Sequence, residues 1–310
     1  MNDLNLEVEL GKIKLKNPLI TASGTFGFGE EIKIYMKPEI VGAITVKGIT
    51  VNPSKGNPSP RIVETPAGLL NSIGLENPGI ETFIKEKLPL IKELKVPVMV
   101  NISGYSIKDF SVLAKRLNPY RDIIKALEIN VSCPNISGGG MAFGTDSKLI
   151  YRVVEEVKNN FPGPIITKLS PNVTDIVEIA CAAESAGTDI ISLINTLLGM
   201  AIDINSKRPE LGNIFGGLSG PAIKPVALRM VYQLYENIEI PIIGMGGIMK
   251  GEDVIEFMLA GAKAVGIGTA NLVEPAACKN ILNEIKDYLI SNNINNISAL
   301  VGKAHNIKEG

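Results

Sequence analysis

Short apolar runs recur along the chain, and stretches with the helical spacing of apolar and polar residues separate most of them. Most of the runs are continuous in valine, isoleucine and alanine, which is typical of parallel strands that are buried on both faces. The pattern predicts eight such strands, over residues 19–23, 43–47, 96–102, 126–132, 165–169, 189–195, 240–245 and 264–268.

The stretches between the strands have recognisable helix ends. Ser106 precedes Asp109 at the spacing of a capping box, and Asn77 followed by Pro78 fits an N-cap with proline at the first helical position. Further helices are predicted over residues 147–160, 174–186, 221–235, 251–260 and 275–291. A small hairpin, with strands over residues 6–10 and 13–15, is predicted to act as a lid on one end of the core.

Eight strands in alternation with helices favour an α/β fold, a single (β/α)8 TIM barrel domain over residues 1–310 with an N-terminal β-hairpin. The alternative is a doubly wound open sheet, which usually has fewer strands and carries a dinucleotide-binding glycine motif. The glycine groups at residues 244–247 and 266–268 lack the third glycine of that motif at its required spacing. The barrel is therefore the preferred prediction.

Composition and charge narrow the range of functions. The chain is 45% hydrophobic and 20% charged, which describes a soluble globular protein with a sizeable core. Its formal net charge of -1 provides no electrostatic footprint for nucleic acid. No signal peptide is visible, and no apolar run approaches the roughly 20 residues that span a bilayer. We therefore expect a cytoplasmic protein with no membrane and no nucleic-acid partner.

Cysteine and histidine usage excludes several chemistries. Cys133, Cys181 and Cys278 are far apart, so they provide neither a disulfide framework nor a Cys-x-x-Cys site for a metal or an iron–sulfur cluster. His305 is the only histidine, which excludes zinc chemistry and Ser-His-Asp chemistry. No metal site is predicted.

The predicted carboxyl ends of the first six strands are unusually polar. Catalytic groups of a (β/α)8 barrel converge at these ends from different strands. The polar or small residues there are Ser23, Lys47, Gly48, Asn101, Ser103, Asn130, Ser132, Cys133, Lys168, Ser170, Asn195 and Thr196. A single buried lysine is usually a paired structural charge, but two lysines and three asparagines at equivalent strand ends indicate a functional site.

The last two strands end in glycine groups, at residues 244–247 and 266–269. Tight turns also use glycine, so each group alone is weak evidence, but the pair predicts a bound phosphate. A lysine beside a phosphate-anchored ligand suggests an electron-accepting ring such as a flavin, whose reduced anion Lys168 or Lys47 would stabilise. The alternative is that one of these lysines holds a substrate carboxylate or forms a Schiff base, and spacing does not separate the two.

Cys133 is the preferred acid/base candidate, because the ordinary thiol pKa of about 8.5 can be lowered by a cationic or polar site. The three glycines at residues 138–140 would let the following loop move over the site. The alternative is a core cysteine followed by a flexible turn. Cys181 and Cys278 fall within predicted helices and are expected to be small core residues.

Two further segments lie on the presumed active side. The insertion over residues 197–220 is long for a connection between a strand and a helix, and such length is usually functional or disordered. Residues 71–75 form either another loop of the site or a plain turn.

Together these motifs resemble the dihydroorotate dehydrogenase family of flavin enzymes, over about residues 6–288. The resemblance rests on segments at residues 21–29, 46–50, 71–79, 128–135, 138–146, 167–172, 195–203, 216–225, 244–248 and 266–270. It implies oxidation of dihydroorotate to orotate in pyrimidine synthesis. In that reaction Cys133 takes the C5 proton as the base, while a hydride passes from C6 to N5 of FMN.

The resemblance also implies the binding residues. The positions that match the family's FMN contacts are Ser23, Lys47, Gly48, Asn101, Asn130, Lys168, Ile194, Gly220, Gly246, Gly247, Gly268 and Thr269. The positions that match its dihydroorotate contacts are Lys47, Asn71, Ser72, Ile73, Gly74, Leu75, Asn130, Asn195 and Thr196.

Within the family, the cysteine at position 133 resembles the soluble class, because the membrane-bound quinone-using class has serine there. Residues 138–146 and 71–79 are similar to the NAD-linked type more than to the fumarate-linked type, which remains an alternative. The chain has neither an iron–sulfur cysteine set nor a dinucleotide motif. The resemblance therefore implies a partner subunit that carries FAD and a [2Fe-2S] cluster, in a heterotetramer around a homodimer of this chain.

Two alternative hypotheses about function, from other classes of protein, stay open. A phosphate-binding barrel lyase or isomerase would use the same glycine pair and a lysine, but it would be colourless and redox-silent. A non-catalytic flavin-binding scaffold would keep the phosphate loops while Cys133 did no chemistry.

Overall fold

The computed structural model describes residues 4–132 and 143–306. Eight parallel strands form a closed barrel, as the apolar pattern predicts. In chain order, β1 to β8 are Leu19–Thr21, Ala43–Ile49, Val98–Ile102, Ile124–Asn130, Ile165–Lys168, Ile190–Leu193, Ile242–Met245 and Ala264–Ile267. Each strand pairs with its neighbours in the sequence, and β8 closes the barrel on β1 with Val265 opposite Leu19. This closure excludes the doubly wound open sheet.

Helices surround the barrel and pack against it and against one another. In chain order, α1 to α10 are Ile32–Tyr35, Gly79–Thr82, Leu88–Lys92, Ile107–Leu117, Ser147–Asn160, Ile176–Ser185, Lys224–Tyr235, Gly251–Leu259, Thr269–Val273 and Ala277–Ser291. A π-helical turn, Phe83–Lys87, joins α2 to α3. No helix within the two described ranges is long and apolar enough to cross a membrane.

The predicted helix starts are close to those in the structure. Ser106 and Asp109 form the expected capping box, in which Ser106 Oγ accepts from the Asp109 N–H at 3.2 Å. The prediction at Pro78 was wrong by one residue, because α2 begins at Gly79 and the proline precedes it. Asn77 still caps this helix, since its Oδ1 accepts from the Gly79 N–H at 2.9 Å.

The predicted N-terminal hairpin is present, with antiparallel strands Val8–Leu10 and Ile13–Leu15. Leu10 and Leu15, which end its two strands, are buried. Because Leu15 lies against Gly42, just before β2, the hairpin covers the amino end of the barrel.

A second sheet lies at the carboxyl end, where the insertions after β2 and β6 meet. Its four antiparallel strands, in spatial order, are Leu197–Gly199, Gly216–Ser219, Gly68–Asn71 and Ile62–Thr65. We call it the cover sheet. A two-stranded ribbon, Ile202–Asp203 with Arg208–Pro209, extends from it. Much of the insertion predicted to be functional or disordered is therefore folded into strands.

Candidate active site

Lys47 and Gly48 lie in a β-bulge at the carboxyl end of β2. Between two successive matched pairs of β2 and β3, β2 has Lys47 and Gly48 where β3 has only Asn101. A bulge bends its strand and re-aims side chains, and bulges are frequent beside active sites. Both bulge residues are half-buried at the rim of the barrel.

Gly48 packs directly on the amide of Asn101. A Cβ at position 48 would lie 2.7 Å from Asn101 Oδ1, so a larger residue would displace the amide. Asn101 is buried, and its Nδ2 donates to Glu128 Oε2 at 2.6 Å. Ser192 Oγ donates to the other carboxylate oxygen of Glu128 at 3.0 Å. The ends of β2 and β3 are thus connected to a buried carboxylate on β4.

Side-chain hydrogen bonds join the ends of β4 and β6. Asn195 Nδ2 donates to Asn130 Oδ1 at 3.2 Å and to Ser132 Oγ at 2.8 Å. The Thr196 N–H donates to Asn195 Oδ1 at 2.9 Å. Within the described part of the chain, nothing accepts a hydrogen bond from Asn130 Nδ2, which leaves this donor for a ligand.

Lys168 reaches across the mouth of the barrel. It ends β5, is buried, and its Nζ donates at 3.4 Å to Ser23 Oγ, just beyond β1 on the opposite side. No carboxylate of residues 4–132 or 143–306 forms an ion pair with Lys168 or Lys47. A buried ammonium without a counter-charge is costly, so this arrangement favours an anionic ligand.

The turn after β7 forms a glycine cradle against the start of α7. Gly246 and Gly247 have φ angles of 127° and 78°, which side chains with a Cβ rarely adopt. A Cβ on Gly247 would lie 2.9 Å from the carbonyl oxygen of Gly220, and a Cβ on Gly246 would lie 3.2 Å from Ile194. After β8, Thr269 Oγ1 donates to Ser219 Oγ at 2.8 Å. These contacts bring the turns after β7 and β8 together at one corner of the rim.

An ion pair holds this cradle from outside. Lys224 Nζ lies 2.7 Å from Asp253 Oδ1 and 2.9 Å from Glu256 Oε2. These hydrogen bonds, the one that Lys224 donates to Asp253 foremost, raise the pKa of Lys224. Burial alone would raise the pKa of Asp253, but hydrogen bonds from Lys224 and two backbone N–H groups outweigh it and lower this pKa. Because carboxylates already neutralise Lys224, its charge is not free for a ligand at the cradle.

The segment over residues 71–75 is connected to the end of β6 through the cover sheet. Asn71 Nδ2 donates to the Gly217 carbonyl at 3.3 Å, and the glycine lies against the Thr196 side chain. Asn57 supports the segment from the other side, donating from Nδ2 to the Ser72 carbonyl at 3.1 Å. The segment is thus held by specific contacts on both sides.

The structure brings most of the predicted site residues to the carboxyl end of the barrel. Ile194, just past β6, is buried and donates its N–H to the Met245 carbonyl at the end of β7. Cys133 and the glycines at residues 138–140 lie outside the described residues. Cys278 is fully buried, as expected of a core residue, whereas Cys181 is only partly buried.

Glu128 was missed by the sequence reasoning. It stands in the apolar run of β4, two residues before Asn130, so both side chains fall on the same face of the strand. A charged residue inside a run that is otherwise buried is the pattern that could have identified it.

The family model described as "Dihydroorotate dehydrogenase" matches residues 5–289. The chain is 55% identical over 302 residues to "Dihydroorotate dehydrogenase B (NAD(+)), catalytic subunit" of Desulforamulus reducens, covering 97% of this chain and 99% of that one. It is 52% identical to the protein of the same name from Thermoanaerobacter pseudethanolicus, covering 96% and 98%. A crystal structure of DHODH from Eimeria tenella in complex with ferulenol superposes with a TM-score of 0.84 at 22% identity, covering 99% of this chain and 90% of that one.

Proposed function

The chain belongs to the dihydroorotate dehydrogenase family, and from this premise we propose that it oxidises (S)-dihydroorotate to orotate in de novo pyrimidine synthesis. It is an oxidoreductase of the NAD(+)-linked B type, and its family is flavin-dependent. The observation that carries the proposal is 55% identity over 97% of the chain to a catalytic subunit of that name.

We assign FMN as the flavin of this chain. We propose that residues 1–310 form a single FMN-binding domain. The turns after β7 and β8 suit a phosphate, because they carry glycines in place of side chains. The space beside Gly268 is open, since a Cβ there would come no closer than 3.7 Å to Ala22. Lys168 fits the ring, since it is a buried cation with no carboxylate partner among the described residues. The proposed FMN contacts are Ser23, Lys47, Gly48, Asn101, Asn130, Lys168, Ile194, Gly220, Gly246, Gly247, Gly268 and Thr269.

Dihydroorotate is proposed to bind beside the flavin, under residues 71–75. The proposed contacts are Lys47, Asn71, Ser72, Ile73, Gly74, Leu75, Asn130, Asn195 and Thr196. A cation and several amides suit a substrate that carries a carboxylate and a ring of alternating donors and acceptors. The mutual hydrogen bonds of Asn130 and Asn195 support a fixed orientation of that ring.

When bound, FMN supplies the hydride acceptor. The chain supplies the base, and we assign this role to Cys133, which takes the proton from C5 of dihydroorotate. Lys168 holds negative charge at the flavin ring, because it has no other counter-ion in the described part of the chain. The asparagine side chains at the strand ends orient the substrate, so positioning provides much of the rate.

The visible spectrum of the purified chain tests this proposal. We expect a yellow protein that bleaches when dihydroorotate is added without oxygen. The Cys133→Ala variant should keep its FMN, and dihydroorotate should reduce that FMN about 10²- to 10⁴-fold more slowly, the usual loss of rate on removing a general base. A colourless chain that takes up no FMN would leave the redox-silent phosphate-binding barrel as the better reading.

We further propose that electrons leave this chain through a partner subunit carrying FAD and a [2Fe-2S] cluster, in a heterotetramer built on a homodimer of this chain. The name "catalytic subunit" of the relatives implies a further subunit. Dihydroorotate-dependent NAD reduction should therefore be slow with the purified chain and fast with the co-expressed complex. Equal rates of NAD reduction by the chain alone and by the complex would contradict the proposed partner subunit. They would not affect the proposed oxidation of dihydroorotate.

A further inference from the structure

Glu128 is a buried carboxylate in the barrel with no cationic partner among the described residues. Only 2% of its surface is exposed. Its two oxygens accept from neutral groups, Asn101 Nδ2 at 2.6 Å and Ser192 Oγ at 3.0 Å. The reaction proposed above does not use it. A carboxylate is costly to bury without a cation, so its position here points to a role beyond packing.

The carboxylate determines how the Asn101 amide is oriented. An amide has one face that donates and one that accepts, and the two could exchange by a rotation of the side chain. A carboxylate oxygen accepts but does not donate, so it pairs with Asn101 Nδ2. The amide oxygen must then point the other way, and it is the atom nearest to the Cβ position of Gly48, at 2.7 Å.

The amide oxygen of Asn101 has no donor among the residues that the structure describes, although Asn101 is only 1% exposed. A second polar atom lies beside it. Ser103 Oγ is 3.4 Å from the same Cβ position and is buried without a described partner. Buried polar atoms are normally satisfied, so Ser103 Oγ, with the unpaired Asn101 oxygen beside it near the half-buried Gly48, indicates a ligand that donates hydrogen bonds.

We propose that Glu128 is a positioning residue that presents the Asn101 oxygen, as a hydrogen-bond acceptor, to an N–H donor of the flavin ring. The inference rests on the proposed function, because it takes FMN to be the ligand. It adds that Glu128 acts on FMN through Asn101 and not by contact.

Fluorescence titration of the apo-chain with FMN tests the proposal without relying on activity. Glu128→Met has a similar length and only a weak acceptor in place of the carboxylate. We expect it to weaken FMN binding by about tenfold, the effect of one well-placed hydrogen bond. Ser192→Ala is the matched control, since it removes the other bond of the same carboxylate. It should change the affinity by less than about threefold, because Asn101 keeps its orientation.

A double-mutant cycle separates positioning from a general structural effect. Once Asn101→Ala has removed the amide, Glu128→Met should weaken FMN binding no further, whereas a general structural effect would lower the affinity again. Additive losses of affinity would overturn the proposal, as would a Glu128→Met variant that binds FMN as tightly as the wild type.

Glu128→Gln keeps the proposal testable if Glu128→Met does not fold. A glutamine can accept from Asn101 with its oxygen and donate to Ser192 with its nitrogen, so its affinity should stay within about threefold of wild type. A loss as large as that of Asn101→Ala would overturn the proposal. The wild-type titration keeps the two proposals apart, because a wild type that binds no FMN refutes the proposed function itself.

Discussion

Among the residues of the candidate site, Gly247 has little room for a side chain. Its φ angle is 78°, and a Cβ there would lie 2.7 Å from Lys224 Cβ and 2.8 Å from the Lys224 nitrogen. We expect Gly247→Ala to lower the free energy of unfolding by about 2 to 3 kcal/mol and to weaken FMN binding by more than about tenfold. Urea unfolding and FMN titration measure the two effects.

Gly187→Ala is the control for Gly247→Ala. Gly187 has a φ of 95°, but a Cβ there would come no closer than 3.7 Å to Lys158. The control should therefore show only the backbone cost, about 1 kcal/mol, with unchanged FMN affinity. Equal losses in both variants would mean that the close approach at Gly247 is unimportant.

The Cys278 thiol should be chemically silent in the folded chain. Burial raises the pKa of this thiol to about 12, against a smaller opposing effect of its hydrogen bond to Asn271. At pH 8 about one molecule in ten thousand then carries the thiolate, the reactive form. Peptide mass mapping after iodoacetamide treatment should find Cys278 unmodified in native protein and fully modified in urea. Modification at the same rate in both would contradict the burial.

At the scale of elements, the ion pair between Lys224 and Asp253 joins the first turns of α7 and α8. We expect Asp253→Asn to lower the free energy of unfolding at pH 7 by about 2 kcal/mol, because Asp253 is buried and bound by charge-assisted hydrogen bonds. Glu256→Gln is the matched control. Glu256 is 44% exposed, so its loss should cost about 0.5 kcal/mol or less.

The same pair predicts a pH dependence. The pKa of Asp253 is lowered in the folded state, so its contribution is present above the unfolded pKa of about 4 and is lost as pH falls through the folded pKa. Urea unfolding from pH 7 towards pH 3 should therefore show the gap between wild type and Asp253→Asn closing in acid. If the difference in free energy of unfolding between wild type and Asp253→Asn widened in acid, the pKa of Asp253 would be raised in the folded state and not lowered.

The barrel strands, which are buried on both faces, were predictable from the sequence, but the half-exposed strands of the cover sheet were not. β6, Ile190–Leu193, is wholly buried and reads as a continuous apolar run. Ile62–Thr65 and Gly68–Asn71 escaped prediction because neither is buried throughout, and the turn Pro66-Ala67 between them lacks the Asn-Gly pattern that marks hairpins.

The polar side chains at the strand ends were predictable from the sequence, but the contacts between them were not. The pairing of Asn101 with Glu128 depends on the register of β3 against β4, which includes an irregularity after Val98. A shift of one residue would turn one of the two side chains out of the barrel. The sequence alone does not determine this register, because it depends on how the two strands pair in the folded barrel.

For the molecule as a whole, the proposed site lies at the carboxyl end of the barrel, and we expect contacts at the amino end to affect stability alone. At the amino end, the ring of His305 stacks on Tyr232 with centroids 3.8 Å apart, and its Nε2 donates to the Ala260 carbonyl at 3.0 Å. We expect His305→Ala to lower the free energy of unfolding by about 1 to 2 kcal/mol. FMN affinity should not change, since the proposed site is at the opposite end.

Lys303→Ala controls for His305→Ala, because Lys303 is exposed in the same short turn, Lys303–His305. It should leave both stability and FMN affinity within error. Urea unfolding and FMN titration on the same samples give both readings. Weaker FMN binding in His305→Ala alone would show that the two ends of the barrel are coupled.

The seam between β1 and β8 sets when the barrel can close during synthesis. Leu19 leaves the ribosome early and its partner Val265 late, so most of the chain must be made between them. At about 5 to 20 residues per second, this interval lasts on the order of tens of seconds. Throughout it, the first strand has an apolar edge without its final neighbour. The growing chain therefore carries an unpaired strand edge, open to pairing with other chains, for most of its synthesis and long before any of its chemistry can begin.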